Sequence, residues 1–383
     1  MKKSYLMIAA AAALFAACSN TDVLKEINDQ EIAIGFDTYA QKATKAAENS
    51  SKDYSLNLKD HHNQFKVWGY KNTSTTPVFN GEEVTYNTAD SKWGYTNNRY
   101  WDKAATSYEF YAYAPASSTV FTFDGVESVA TQGNGYFKIT SAYNKAGKNA
   151  SPMNDDDPII VWPTGSGDDV DLMIAAPVSL SGDNLTSAKS GNVTLNFIHI
   201  LSRLNITVKT TSSFDGEGKD KVKVTNITVG KMNTAGTFDE STSLQTGVLA
   251  GGTNARWTPS TPNDYSYDMT YTATTTPTYV VESLIIPQTA GVEDINMDGS
   301  STETKPYIAI SYSVYNSTES AHEDFVAYYN LAKLFNKTGE QTLAFNEGWQ
   351  NTLNISIEPG LISFDAKVAA WDDMTQVGTV EVK

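Results

Sequence analysis

Apolar residues recur at every second position through much of the chain. That period is the mark of β-strands, whose successive side chains point to opposite faces. The first instance is Glu31 to Thr38, where Ile32, Ile34 and Phe36 alternate with Ala33, Gly35 and Asp37. Burying each of the three apolar side chains is worth roughly 1.5–3 kcal/mol, so this strand is expected to complete a sheet formed further along. The run after it, Gln41-Lys42-Ala43-Thr44-Lys45-Ala46, is polar and carries two lysines, and Gln41 to Asp53 reads as a linker. A strand ahead of a cuttable linker is removable after folding and would leave a sheet edge open to another strand. The plain alternative is an ordinary first strand.

Strand signals become dense from Gln64. Phe65 to Tyr70, Val84 to Tyr86, Tyr108 to Ala114 (stopped by Pro115), Val120 to Phe123, Tyr136 to Ile139, Ile159 to Trp162 and Asp171 to Ala175 make a first series. Ser179 to Gly191, SLSGDNLTSAKSG, has the composition of a linker. A second series follows: Val193 to Lys209, Val222 to Val229, Tyr265 to Tyr271, Tyr279 to Ile286, Tyr307 to Tyr315, Phe325 to Leu331, Leu353 to Ile357 and Ile362 to Val368. Within the whole, Leu331 to Asn336 alone has a helical pattern. Two sets of roughly seven short strands predict an all-β chain of two β-sandwiches, divided as residues 47–185 and 186–383.

Composition supports this class. The 383 residues are 40% hydrophobic and 19% charged, and Tyr (21) outnumbers Phe (15), as suits sheets with polar outer faces. The net charge of −16 and the lack of a basic stripe exclude nucleic acid as an expected partner.

The N-terminus adds a destination. Lys2 and Lys3 precede an apolar run, Tyr5 to Ala17, shorter than the ~20 residues of a membrane span. It ends Leu14-Phe15-Ala16-Ala17-Cys18, small residues directly before a cysteine, as in a bacterial lipobox. Residues 1–17 are therefore expected to be a leader cut between Ala17 and Cys18, with lipid on the Cys18 thiol; plain secretion with cleavage near Ala17 is the alternative. Residues 18–46 then form a tether and the first strand. Cys18 is the only cysteine, so no intrachain disulfide is available.

Candidate chemistry is sparse. The histidines are His61, His62, His199 and His322, in none of the usual zinc spacings. His199, inside an apolar strand, is expected to be a hydrogen-bonded core residue, and the pair His61-His62 a solvated turn. Asp294-x-Asn296-x-Asp298-Gly299 begins like an EF-hand loop, but Lys305 stands where the twelfth-position Glu belongs; an Asn/Asp/Gly turn is the simpler reading. Asp155-Asp156-Asp157 reads as a loop, and Gly165-Ser166-Gly167 lacks the outer glycines of a nucleophile elbow. No metal, cofactor or enzymatic activity is expected.

Several stretches resemble the fimbrillin family, the Mfa-like subunits of type V pili. Phe110-Tyr111-Ala112-Tyr113-Ala114-Pro115 is similar to its F-x-AYYP strand, and Asp171-Leu172-Met173-Ile174-Ala175 to its DLMYA strand. Phe197 to Ile206 is similar to F-x-H-x-L-[AS]-[KR]-L-x-I, and Leu284 to Gln288 to the strand ending IPQ. Gly348-Trp349 and Phe364 to Trp371 fit the closing strands. The resemblance implies two tandem transthyretin-like β-sandwiches, export as an outer-membrane lipoprotein, and removal of the strand carrying Ile32, Ile34 and Phe36 by cleavage between Lys45 and Ala46. The groove would then take a strand from the next subunit. Family members are often cut after arginine, and here Thr44-Lys45-Ala46 stands in the place of T-R-A, with no arginine before Arg99.

Beyond Trp371 the chain continues to Lys383. Gln376 to Val382 has strand composition, with Val380 and Val382 on one face and Val377 out of phase. Residues 374–383 are either the donor strand or the last strand of their own sandwich. The implied partners are other pilus subunits, the outer membrane through the lipid, and surface receptors. A non-polymerising surface lipoprotein that binds glycan or protein, or serves as a pilus tip or anchor, is the alternative.

Overall fold

The computed structural model describes residues 32–40, 57–117, 122–127, 136–141, 171–211, 222–239, 256–291, 295, 305–316, 318–335, 342–358 and 361–370. Ala17, Cys18, Lys45, Ala46, Val377, Val380, Val382, Asp294, Asn296, Asp298, Asp155-Asp156-Asp157 and Gly165-Ser166-Gly167 lie outside these residues.

The fold is all-β, as the alternation predicts. Strands β1 (Gly35–Ala40), β2 (Gln64–Lys71), β3 (Phe79–Asn87), β4 (Lys92–Gly94) and β5 (Ser107–Ala114) belong to the first sheet, and β6 (Thr122–Glu127) and β7 (Tyr136–Ser141) follow. Then come β8 (Met173–Ala175), β9 (Val178–Ser181), helix α1 (Gly182–Ala188) and β10 (Asn192–His199). The first sheet runs β1-β10-β8-β5-β2-β3-β4, with β9 also paired to β5.

Strand β5, SYEFYAYA, is buried along its whole length. Its alternation sorts side chains between two cores. Tyr108, Phe110, Ala112 and Ala114 join Phe65, Val67, Phe79, Leu195 and Phe197 in the core of the first sheet. Tyr111 and Tyr113 point the other way, with Trp68, Tyr70 and Ile174, onto Phe238, Trp257, Leu284 and Ile286 from later in the chain. Gly69 makes room at this crowding: a Cβ there would stand 2.9 Å from the Phe79 ring and 3.0 Å from that of Phe110.

The remaining strands are β11 (Ser202–Thr210), β12 (Val222–Asp239), β13 (Trp257–Thr272), β14 (Thr278–Ile285), β15 (Gln288–Ala290), β16 (Tyr307–Asn316), β17 (Ala321–Asn330), β18 (Leu343–Phe345), β19 (Trp349–Glu358) and β20 (Leu361–Ala370), with helix α2 (Leu331–Phe335) after β17. A four-stranded sheet, β14-β11-β19-β20, is joined through one core to a six-stranded sheet, β17-β16-β12-β7-β6 with β13 on β12. Leu204, Ile206, Leu353, Ile355 and Phe364 of the former share that core with Val224, Ile227, Val229, Ile308 and Ile310 of the latter. Two sheets joined through their inner faces form a sandwich.

Two expectations about organisation are corrected. Ser179 to Gly191 is not a free linker: β9 pairs with β5, and α1 buries Leu185 in the first core. Nor does sheet membership change at 185/186. Strand β10 still belongs to the first sheet, whereas β7, from the first half of the chain, pairs with β12 through Ile139↔Phe238 and Lys138↔Asp239. Trp257 ties the two bodies further, its Nε1 donating to the Ile200 carbonyl at 2.7 Å. Beside it Arg256 donates from Nε to Glu347 Oε2 at 2.8 Å, and also from Nη2, with both side chains buried. The helix expected at Leu331 to Asn336 is α2.

Candidate functional site: the first strand and its seam

Strand β1 lies at the end of the first sheet and closes it. It runs parallel to β10 in the register Gly35↔Asn192 through Ala40↔Phe197, whereas every other described pairing in this sheet is antiparallel. Upstream it changes partner. Ala33 bridges Tyr100, Ile34 N donates to Arg99 O at 2.8 Å, and Trp101 N donates to Ile32 O at 3.0 Å. The Tyr95 hydroxyl donates to Ile34 O at 2.6 Å. The strand thus joins β10, on one side, to the segment following β4, on the other.

Its inward face is Ile34, Phe36, Thr38 and Ala40, at 1%, 2%, 7% and 3% exposure. Phe36 is the wedge. Its ring meets those of Phe79, Tyr95, Phe110 and Phe65 at centroid distances of 5.3, 5.9, 5.9 and 6.1 Å, all edge-on, the arrangement aromatic quadrupoles favour. Ile34 and Phe36 are therefore placed as expected, and Ile32 is not: it is 52% exposed. Ile32 lies past the last inward layer, where the strand has left β10. On the outer side Asn192 reaches across Gly35 to donate to Asp37 Oδ1 at 3.1 Å, and a Cβ on Gly35 would stand 2.1 Å from Asn192 Oδ1.

A second constellation sits at the far end of β10. His199, 6% exposed, places Nδ1 2.8 Å from Asp171 Oδ2, which makes it the hydrogen-bonded core residue expected. The pair His61-His62 lies in a turn, as expected, with both amides bonded to the Leu58 carbonyl, but its rings are half-buried rather than solvated. His62 Nε2 lies 2.6 Å from the Asp171 carbonyl oxygen, and the His61 ring meets that of His199 edge-on at 5.4 Å. Burial alone would raise the Asp171 carboxyl, yet His199, then His62 and His61, hold it down to about 2. Burial lowers His62 against the opposing pull of Asp171. Sequence reasoning missed this cluster because its members come from three distant segments. The antiparallel register of β8 and β10, which opposes His199 to Met173, is what assembles it.

Comparison with known proteins gives these features a family. The fimbrillin-like family model matches residues 44–371. Fimbrium subunit Fim1C of Phocaeicola vulgatus is 28% identical over 216 residues, 54% of this chain and 51% of that protein, so the chain spans about half the length of that curated relative. Among solved structures, a candidate cell adhesion protein from Bacteroides ovatus superposes with a TM-score of 0.50 at 12% identity, covering 89% of this chain and 98% of the other. A fimbrial protein from Bacteroides vulgatus gives 0.48 at 16% identity, covering 88% and 99%. With most of its length matched by the family model, the chain belongs to the fimbrillin-like family.

Proposed function

We propose that the chain is a structural subunit of a type V pilus, exported to the cell surface as a lipoprotein on Cys18 and polymerised by exchange of its first strand. The observation that carries the reading is the placement of β1: an edge strand whose Phe36 fills a ring-lined site, followed within a few residues by the polar run holding Lys45-Ala46. Cleavage there would release β1, leaving the main-chain groups of β10 and the Phe36 site open. The tail with Val377, Val380 and Val382 is the proposed donor. Main-chain hydrogen bonds exchange nearly like for like, each worth a net ~0.5–1.5 kcal/mol. Side chains entering the vacated Ile34 and Phe36 sites would supply much of the remaining affinity.

The test compares protein beginning at Ala46 with and without residues 374–383. Denaturant-resistant ladders are expected only with the tail; equal ladders from both forms remove the tail as donor. A second reading, a surface lipoprotein that adheres or anchors without polymerising, is favoured by the lysine at position 45, since family members are often cut after arginine. Mass spectrometry of the mature N-terminus separates the two, since a chain starting at Ala46 is processed and one starting at acylated Cys18 is not.

A further inference from the structure

We propose that His61, Asp171 and His199 form a binding site for one divalent transition-metal ion of the zinc class. One ligand atom from each residue lies within 4.8 Å of the other two. A four-coordinate ion about 2.05 Å from each donor needs them about 3.3 Å apart, so a separation at the 4.8 Å limit closes by up to roughly 1.5 Å, through rotation of the half-buried His61 and Asp171 side chains. His199 Nδ1 and Asp171 Oδ2 lie 2.8 Å apart in a hydrogen bond; an ion would replace the shared proton and spread the two atoms to about 3.3 Å, the separation of donors about 2.05 Å from a four-coordinate ion. The His61 ring stands at 77° to that of His199 with centroids 5.4 Å apart, so both imidazoles lie beside the carboxylate. Two imidazoles and one carboxylate suit zinc, with water in the fourth position, and do not suit Ca²⁺ or Mg²⁺, which take oxygen ligands. His62, through its contact to the Asp171 carbonyl oxygen, steadies the main chain that carries the carboxylate.

The site has a consequence for the chain's architecture. His61 follows a single 3₁₀ turn, Leu58–Asp60, whose Leu58 is buried in the first core. Asp171 lies just before β8, and His199 ends β10. A bound ion would pin the segment entering β2 to the two strands that include the partner of β1. The proposal stands independently of the pilus reading.

Binding is measured on the full chain, without a polyhistidine tag and stripped by chelator, by equilibrium dialysis against Zn²⁺, with Co²⁺ as a visible probe and Ca²⁺ as the contrasting arm. One Zn²⁺ per chain, a cobalt spectrum of four-coordinate intensity and no Ca²⁺ uptake are expected. His61→Ala and Asp171→Asn should weaken zinc binding about tenfold or more. His322→Ala should leave it unchanged, because that ring lies on β17 beside Ser313 and Tyr315. Circular dichroism checks that each variant folds, and the cobalt spectrum of the unaltered chain gives an answer that depends on no variant. Lack of stoichiometric binding, a weak six-coordinate cobalt spectrum, equal uptake of Ca²⁺, or undiminished affinity in a folded His61→Ala overturns the site.

Discussion

Truncating Phe36 to alanine tests whether β1 is held by one side chain. Phe36 is 2% exposed and touches four rings. Phe-to-Ala changes in cores cost about 3–5 kcal/mol through lost transfer energy and the residual cavity. Because β1 lies at the end of its sheet, the expectation is the lower end of that range, about 3 kcal/mol. At ~1.4 kcal/mol per tenfold, the undocked population of β1 rises by roughly two powers of ten. Hydrogen exchange of the β1 amides reads this directly, as does that of Ile34 N just ahead of β1, which is bonded to Arg99 O, because local opening sets their protection. Urea unfolding followed by tryptophan fluorescence supplies a second measure, since Trp101 packs edge-on against Phe110 at 6.0 Å. Ile32→Ala is the internal control: the residue belongs to the same segment but is 52% exposed, and exposed substitutions usually stay within about 0.5 kcal/mol. If Phe36→Ala costs less than about 1 kcal/mol, or Ile32→Ala costs as much as Phe36→Ala, the wedge argument fails.

Other predictions follow from single contacts. Burial pushes the Glu347 carboxyl from its ordinary 4.5 up to about 7, against the opposing attraction of Arg256. The folded chain then holds the proton more tightly than the unfolded one, so this group's contribution is complete below about 4.5 and is lost as pH rises through about 7. Glu347→Gln should flatten the decline in melting temperature across that window, and an unchanged slope would contradict the assignment. Gly230→Ala should destabilise by about 1–3 kcal/mol, because the new Cβ would lie 2.1 Å from the Tyr307 ring; a neutral result in thermal unfolding would count against the packing of β12 on β16. Cys18→Ala should abolish incorporation of radiolabelled palmitate, and undiminished labelling would exclude Cys18 as the acylated residue.

The sequence pattern carried the class of fold and the inward side of β1, because alternation is a local property of the chain. It misplaced Ile32 because period two says which face a residue takes and nothing about where the core beneath ends. Ser179 to Gly191 misled for a compositional reason: Ser, Gly and Asn dominate a segment in which one buried residue, Leu185, suffices to fasten α1. Sheet membership was not legible. The pairing of β7 with β12 joins residues about one hundred positions apart, Ile139 and Phe238, and no short-range pattern encodes a choice of distant partner. The same holds for the histidine cluster. Each of His61, Asp171 and His199 has an ordinary local explanation, and their chemistry emerges only when pairing brings them together.

The order of the first sheet has a topological meaning for the strand at its end. Among the named strands β1 is a leaf of the pairing graph: β10 continues to β8, β8 to β5, β5 to β2 and β2 to β3, none of these links passes through β1, and its upstream end adds the bridge from Ala33 to Tyr100. Its partner is also made late, since Gly35 pairs with Asn192, 157 residues further along (192 − 35). During synthesis the strand must wait for β10, and contacts of such long separation form slowly. Of the described strands of this sheet, the one made first is thus among the last to dock. For the same reason it is the strand whose departure costs the sheet only its own contacts and leaves the other pairings intact.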